Sequence, residues 1–335
     1  MLAPTKDKEI VEFTKKFKNI LDKSKNILIT GHKNPDGDAI GSALSIYTFL
    51  KNLYKDKNIK IAFKDKVPYF LSFLPFSDKI ENLEKYKKFV FDIIIVCDTA
   101  DIKRIGTFLP KAKYIVEIDH HKERKPFGNL SLVKSPLSST AELVFEVLYL
   151  LNPDLIDLNI SYQIYTGIYS DTAGFSYETV TTRTFSIASF LLSKGVNPRI
   201  IFTNLYERNP YRKLKLLSLA LSRIKLWENI KFARTFILKK DLEKYKATYE
   251  DTEGFVNYPR SLENVEIAAF YLEKDFGFKV SLRSKLYFDV SLLALKFGGG
   301  GHKHAAGFEV NIKDVKKLDN LLVENIKNLI ENFSF

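Results

Sequence analysis

Ile27-Leu28-Ile29-Thr30-Gly31-His32-Lys33-Asn34-Pro35-Asp36-Gly37-Asp38 is the stretch that decides how this chain is read. A short apolar run leads into a loop shaped by Pro35 and Gly37, and a helical pattern begins near Ala39. Strand, loop and helix in that order place the loop at the carboxyl end of a strand in an α/β sheet, where such sheets bind ligands. His32, Asp36 and Asp38 give the loop one imidazole and two carboxylates, which suit a divalent cation that takes nitrogen and oxygen donors. Taken alone, the stretch also fits a solvated turn, because Asp38 suits the N-cap position of the helix that follows.

The neighbouring segments decide between these readings. Residues 91–97 form an almost continuous apolar run, as expected of a central parallel strand covered on both faces, and it ends at Asp98. Residues 114–118 form another, ending at Asp119-His120-His121. Residues 60–63 suit a further strand. Three strands therefore deliver carboxylate or imidazole at their carboxyl ends, and in an open parallel sheet those ends share one edge. Helical spacing marks residues 8–22, 39–53, 140–151, 158–169 and 181–192. Asp171 follows the fourth of these, just before a glycine turn, and is a further candidate ligand. The five histidines of the chain fall in only three places: His32, His120-His121, and His302 with His304.

Composition sets the limits. A length of 335 residues suggests two domains, and 45% hydrophobic residues suffice for two cores. No apolar run approaches a bilayer span and no signal-peptide pattern opens the chain, so a soluble, cytoplasmic protein without membrane association is expected. The sole cysteine, Cys97, excludes an internal disulfide and any thiolate cluster. A formal net charge of +12 favours polyanionic partners, although lysines spread along the whole sequence also fit a solvated surface.

His32, Asp36, Asp38, Asp98, His120 and Asp171 make four carboxylates and two imidazoles, more than one catalytic zinc requires. Two divalent ions sharing a carboxylate fit the count, with Asp98 as the expected bridge because it comes from the middle of the sheet. Oxygen and nitrogen donors without thiolate point to two Mn2+, with Mg2+, Co2+ or Zn2+ as substitutes.

The second half reads as α+β: helix at 211–226, strands within 229–238, an antiparallel pair at 265–273 and 277–283, a short helix at 290–296 and a final helix at 315–332. Between the last two lies Phe297-Gly298-Gly299-Gly300-Gly301-His302-Lys303-His304-Ala305-Ala306-Gly307-Phe308. Consecutive glycines let backbone N–H groups approach a guest closely, and an anion is the usual one. Arg283, His302 and Lys303 add cationic contacts to a phosphate or carboxylate. The bland alternative is a flexible linker, which the apolar flanks argue against.

These motifs, in this order, resemble the DHH phosphoesterases. The His32-Lys33-Asn34-Pro35-Asp36-Gly37-Asp38 loop, Asp98, Asp119-His120-His121 and Asp171 resemble their four N-terminal motifs, and Gly298 to His302 with Ala305-Ala306-Gly307 resembles the DHH-associated C-terminal domain. The resemblance implies a parallel-sheet N-terminal domain (1–195), a linker helix (196–212) and a smaller α+β substrate-binding domain (213–335), with the active site in the cleft between them. It assigns His32, Asp36 and Asp98 to one metal and Asp38, Asp98, His120 and Asp171 to the other. It also sets His121 facing the scissile phosphate, Asp119 orienting a neighbouring imidazole, and Arg283, Ser284, Gly299, Gly300, Gly301 and His302 holding the rest of the substrate. The compact length, with the stretches 251–260 and 280–284, is similar to the nanoRNase group. That implies an exonuclease of short single-stranded RNA that also dephosphorylates 3′-phosphoadenosine 5′-phosphate, with a homodimer compatible. Alternatives are a cyclic or linear dinucleotide phosphodiesterase, a RecJ-type single-strand DNA exonuclease, and a nucleotide-binding regulator without catalysis. The glycine-rich run sets aside the manganese-dependent pyrophosphatases, which share the first motif.

Overall fold

The computed structural model describes residues 2–121 and 126–333, except the side chains of His302, Asn332 and Phe333. Two compact units, Met1–Arg208 and Asn209–Phe335, divide the chain. None of the described helices is long and apolar enough to cross a membrane.

The first unit runs α1 (Lys8–Lys23), β1 (Asn26–Thr30), α2 (Gly37–Leu53), β2 (Asn58–Phe63), β3 (Glu81–Asn82), β4 (Val90–Cys97), β5 (Lys111–Asp119), β6 (Leu130–Val133), α3 (Thr140–Leu151), α4 (Leu158–Asp171), α5 (Thr182–Ser193) and α6 (Pro198–Phe202). Its sheet has the order β3-β2-β1-β4-β5-β6, parallel throughout. The order reverses direction between β1 and β4, and at such a switch point the chain leaves the two strands toward opposite sides, opening a crevice at their carboxyl ends.

Alternation along the strands builds two cores. Ile27, Ile29, Ile93, Ile95 and Cys97 point into the larger one, against Phe17, Phe49, Phe145 and Ile164 of the helices. Leu28, Ile94 and Val96 point the other way, onto Leu83, Tyr86 and Ile105 from the loops. Helices thus cover one face and short turns the other, which is why the strands read as unbroken apolar runs.

The packing of α2 on α4 depends on two glycines. A Cβ at Gly41 would lie 2.4 Å from the Gln163 carbonyl oxygen, and one at Gly167 would lie 2.6 Å from Ala141 Cβ and 3.1 Å from Asp38 Oδ1. Glycine costs a helix about 1 kcal/mol relative to alanine. Here it lets two backbones touch, and the crossing brings Asp171, at the end of α4, to Asp38, at the start of α2. Gly41→Ala is therefore expected to destabilise the first unit by roughly 1–3 kcal/mol, the range for overpacking a tight interior, despite its better helix propensity. Chemical denaturation measures this, and a stabilised variant would contradict the tight crossing.

The helix expected as a linker packs within the first unit. Ile201 of α6 is fully buried in the larger core, and Leu205, in the π-helical turn Thr203–Glu207, packs against it. Burial of these apolar groups fixes the segment to that core.

The second unit runs α7 (Tyr211–Ser222), β7 (Lys225–Trp227), β8 (Phe232–Ile237), α8 (Lys239–Tyr245), α9 (Asn257–Arg260), β9 (Ile267–Lys274), β10 (Gly277–Ser284), α10 (Val290–Lys296), β11 (Gly300–His302), β12 (Ala305–Val310) and α11 (Val315–Phe333). Its mixed sheet has the order β11-β12-β10-β9-β8-β7, with β8 and β9 parallel and the other pairs antiparallel. α10 and α11 bury Leu293, Leu318 and Leu322 against Phe278, Val280 and Leu282 on one face. Leu216 of α7 with Phe255 and Val256 covers Ala268 and Phe270 on the other. The helix expected over 211–226 stops at Ser222, because Lys225 to Trp227 pair with β8 and Trp227 stacks on Phe232 at 5.1 Å.

Candidate metal centre and the glycine-rich edge

The switch point gathers the candidate ligands of the first unit. His32 follows β1, Asp98 follows β4, His120 follows β5, Asp36 and Asp38 flank the start of α2, and Asp171 ends α4. Single ligand atoms of His32, Asp36 and Asp98 lie within 4.8 Å of one another, as do those of Asp38, His120 and Asp171. Asp98 joins the two groups: its Oδ2 is 3.4 Å from His32 Nε2 and its Oδ1 is 3.7 Å from His120 Nε2.

The imidazoles present Nε2 to this centre. His32 Nδ1 lies 2.8 Å from the Lys33 carbonyl and His120 Nδ1 lies 3.2 Å from the Leu137 carbonyl. A carbonyl only accepts, so each Nδ1 donates, and each Nε2 is left to face the carboxylates, the arrangement typical of metal-ligating histidine. His121 differs. Its Nδ1 donates to the buried Asp119 carboxylate at 2.7 Å, which makes His121 the imidazole that Asp119 orients.

Asp36 and Asp38 divide the two roles that the sequence offers to Asp38 alone. The N-cap of α2 is Asp36, whose Oδ1 accepts from the N–H groups of Asp38 and Ala39 at 3.1 and 3.0 Å. Asp38 is buried, 1% exposed, with its carboxylate turned inward and Oδ2 3.9 Å from His120 Nε2. Asp98 adopts a left-handed backbone with φ +53°, a conformation uncommon for a side chain with a Cβ and best tolerated by Asn and Asp. From that turn its two carboxylate oxygens face His32 and His120.

Electrostatics follow from the crowding of unlike groups. Burial opposes protonation of His32, but the carboxylates of Asp36 and Asp98 outweigh it and hold the imidazole well above its usual pKa. For His120 the same contest, with Asp171, Asp38 and Asp98 as partners, ends at about 9. Burial, then Asp98 and Asp171, push Asp38 well up, and burial pushes Asp171 to about 6 against the pull of His120. Asp98 goes the other way: burial is overcome by His32, His121 and His120, which hold it below the usual carboxylate range. Protons here hold charge that a cation would otherwise balance. A donor set of carboxylates and Nε2 imidazoles, buried and without thiolate, fits divalent cations such as Mn2+.

The glycine-rich segment belongs to the second unit, at the edge of its sheet. The sequence reading offers this run as an anion cradle, and the fold itself also requires three of its four glycines. Gly298 ends α10 in a left-handed turn (φ +73°), with its N–H donating to Leu295 and that of Gly299 to Ala294. A Cβ at Gly299 would lie 2.2 Å from the Gly307 carbonyl oxygen, and one at Gly301, where φ is +147°, 2.4 Å from that of Ala305. Only Gly300 has open space around its absent Cβ and no left-handed φ.

Register places Arg283 opposite Ala305, and Ala305 opposite His302. Ser281, Gly307 and Gly300 form the next row on the same face, since side chains alternate along a strand. This half of the sheet face is floored by small residues, with Arg283 half-buried beside them. Ser284 points to the other face. It is 2% exposed, and its hydroxyl contacts His304 Nδ1 at 2.9 Å, bracing the β11–β12 turn. The His302 side chain lies outside the described residues.

Fold and site together define a class: an α/β unit with a parallel sheet and a cluster of candidate metal ligands at its switch point, together with a mixed-sheet unit that has a glycine-rich edge. Known proteins share both parts. Residues 26–170 match the DHH family, N-terminal domain, and residues 229–332 match the DHHA1 domain. The bifunctional oligoribonuclease and PAP phosphatase NrnA of Bacillus subtilis (strain 168) is 32% identical over 288 residues, 85% of this chain and 89% of that one. The protein of the same name from Thermus thermophilus is 30% identical over 90% of this chain and 89% of its own. The crystal structure of an exopolyphosphatase-related protein from Bacteroides fragilis superposes with a TM-score of 0.86 at 30% identity, covering 96% of this chain and 98% of that one. The chain belongs to the DHH family, with a DHHA1 domain as its second unit.

Proposed function

We propose that this protein is a Mn2+-dependent phosphoesterase that hydrolyses short oligoribonucleotides to mononucleotides and dephosphorylates 3′-phosphoadenosine 5′-phosphate, acting in the cytoplasm. The observation that carries the reading is the division of the Asp98 carboxylate between two groups of ligands. His32, Asp36 and Asp98 would hold one cation, and Asp38, Asp98, His120 and Asp171 the other. Two such cations, when bound, supply Lewis acidity that acidifies water and offsets charge on the phosphoryl oxygens. The names of the Bacillus and Thermus relatives, both bifunctional oligoribonuclease and PAP phosphatase, support the substrate class.

The remaining work falls to the chain. Asp119 accepts from His121 Nδ1 and so orients the ring, leaving Nε2 as the atom it would present to substrate; a hydrogen bond from there to a phosphate oxygen requires Nε2 to carry a proton as well. Arg283, Gly300 and the backbone of the glycine-rich edge bind a second anionic group of the substrate, so the enzyme favours ligands that carry one. Incubation with Mn2+ and a panel of diribonucleotide, cyclic dinucleotide, short single-stranded DNA and 3′-phosphoadenosine 5′-phosphate tests the assignment. Turnover of the first and last is expected, and preference for either of the others would replace this reading.

Arg283→Ala separates anchoring from chemistry. It is expected to raise KM for a diribonucleotide roughly tenfold or more, in keeping with a lost charge-assisted bond. Hydrolysis of a small generic phosphodiester, which has no second anionic group, should change little. Equal losses on both substrates would refute an anchoring role.

A further inference from the structure

The start of α3 holds two carboxylates of the metal centre, although none of its residues is among the ligands. Thr140 is the first residue of this helix, after the N-cap Ser139. Its N–H donates to Asp38 Oδ2 at 2.7 Å, and the next N–H, that of Ala141, donates to Asp38 Oδ1 at 2.8 Å. Its hydroxyl donates to Asp98 Oδ1 at 3.0 Å. Every atom involved is buried: Thr140 and Ala141 are 0% exposed, Asp38 1% and Asp98 3%.

We infer that Thr140 is a positioning residue, which locks Asp38 and Asp98 in the orientation that divides Asp98 between two cations. Four N–H groups at the start of a helix lack intrahelical partners, and here the first two go to a carboxylate from another helix. The third, that of Glu142, goes to the Ser139 hydroxyl at 3.1 Å. Asp38 is thereby clamped at both oxygens, and Ser42 Oγ adds a contact to Oδ1 at 3.2 Å. Oδ1 takes two donors and Oδ2 one, so Oδ2 would be the atom left to bind a cation.

The hydroxyl does a different job. Asp98 sits on a left-handed turn at a strand end, where rotation of its side chain would swing both oxygens toward one ligand group. The Thr140 hydroxyl holds Oδ1 on the His120 side while Oδ2 faces His32. A rigid helix terminus, and not a loop, therefore sets the spacing of Asp38 and Asp98, which come from two separate segments.

This inference rests on the metal-centre reading, and calorimetric titration of the full chain with Mn2+ alone keeps the two apart. Wild type is expected to bind two Mn2+. Thr140→Val keeps the shape and both amides but loses the hydroxyl, and is expected to weaken binding at one or both sites roughly ten- to a hundredfold, the usual cost of losing a partner of a metal ligand. Thr140→Ser restores the hydroxyl and should bind within about threefold of wild type, on the same scale. The electron paramagnetic resonance signal of a coupled Mn2+ pair should weaken in the valine variant and return in the serine one. Wild-type affinity in Thr140→Val overturns the inference and leaves the metal centre standing, whereas a wild type that binds no Mn2+ overturns the metal centre itself. Equal loss in both variants with a lowered melting temperature also overturns it, because that assigns Thr140 to folding alone.

Discussion

Asp98→Asn is expected to lower kcat/KM on a diribonucleotide with saturating Mn2+ by on the order of a thousandfold or more. Removal of one preorganised charge-stabilising group from an active site already costs roughly 10²–10³-fold. Asp98 does more than one such group, because its two oxygens face two separate sets of ligands, His32 on one side and His120 on the other. Asparagine is the informative substitution. It is isosteric, and it tolerates the left-handed backbone at φ +53°, where alanine would add strain. It can also still accept the Thr140 hydroxyl. The loss can then be assigned to charge and not to misfolding, provided the melting temperature holds. A nucleotide-binding regulator without catalysis would keep its ligand response in this variant. Retained turnover would remove Asp98 from the centre of the mechanism.

The second large effect is on how stability varies with pH when cations are removed. In chelator the melting temperature is expected to fall as pH rises from about 6.5 to 9, and Mn2+ should raise it most at the alkaline end. His120 in the folded chain titrates at about 9 against an ordinary value of 6.5. A group whose pKa is raised by folding contributes stability that is fully present below its unfolded pKa and lost as pH rises through the folded one. At about 1.4 kcal/mol per unit, the His120 shift corresponds to roughly 3 kcal/mol over that window. His32 shifts in the same direction for the same reason. Asp171, raised to about 6, acts likewise at lower pH, its contribution fading between its usual 3.8 and about 6. Cations replace these protons, so binding releases them and strengthens with pH. Differential scanning fluorimetry in Mn2+ and in chelator, at pH 6.5 and 9, gives the difference directly. Subtracting the two conditions removes the background from the other charges of a chain with net charge +12. A Mn2+ effect that is independent of pH would contradict protonated imidazoles in the cation-free centre.

Much of this site was legible in the sequence because its ligands follow strongly patterned strands. The run from Phe91 to Cys97 could only be a buried strand, and a carboxylate at its end had no structural purpose of its own. The same logic brought in His32 and His120. Helices 140–151 and 290–296 were equally plain, because their apolar residues repeat at helical spacing. The segments that escaped are those whose conformation depends on a neighbour. β11 and β12 exist through their pairing with each other and β10, and the sequence does not show that Gly307 and Ala305 press against Gly299 and Gly301, so that the fold as well as a ligand has a use for these glycines. Residues 225–227 continue a helical pattern but are drawn into a strand by β8.

The sequence by itself determined the candidate donors, four carboxylates and two imidazoles, and the sheet edge where they meet, because strand ends and apolar runs are local properties. Only the tertiary structure decided which Asp caps α2 and which turns inward, how Asp98 divides its oxygens, and what holds them there. Those outcomes depend on contacts between segments far apart in the chain: Gly41 against Gln163, Asp119 behind His121, and the Thr140 N–H and hydroxyl on Asp38 and Asp98. A threonine that opens a helix looks like any other in sequence. Its function appears only when the fold brings two carboxylates within hydrogen-bonding distance of it.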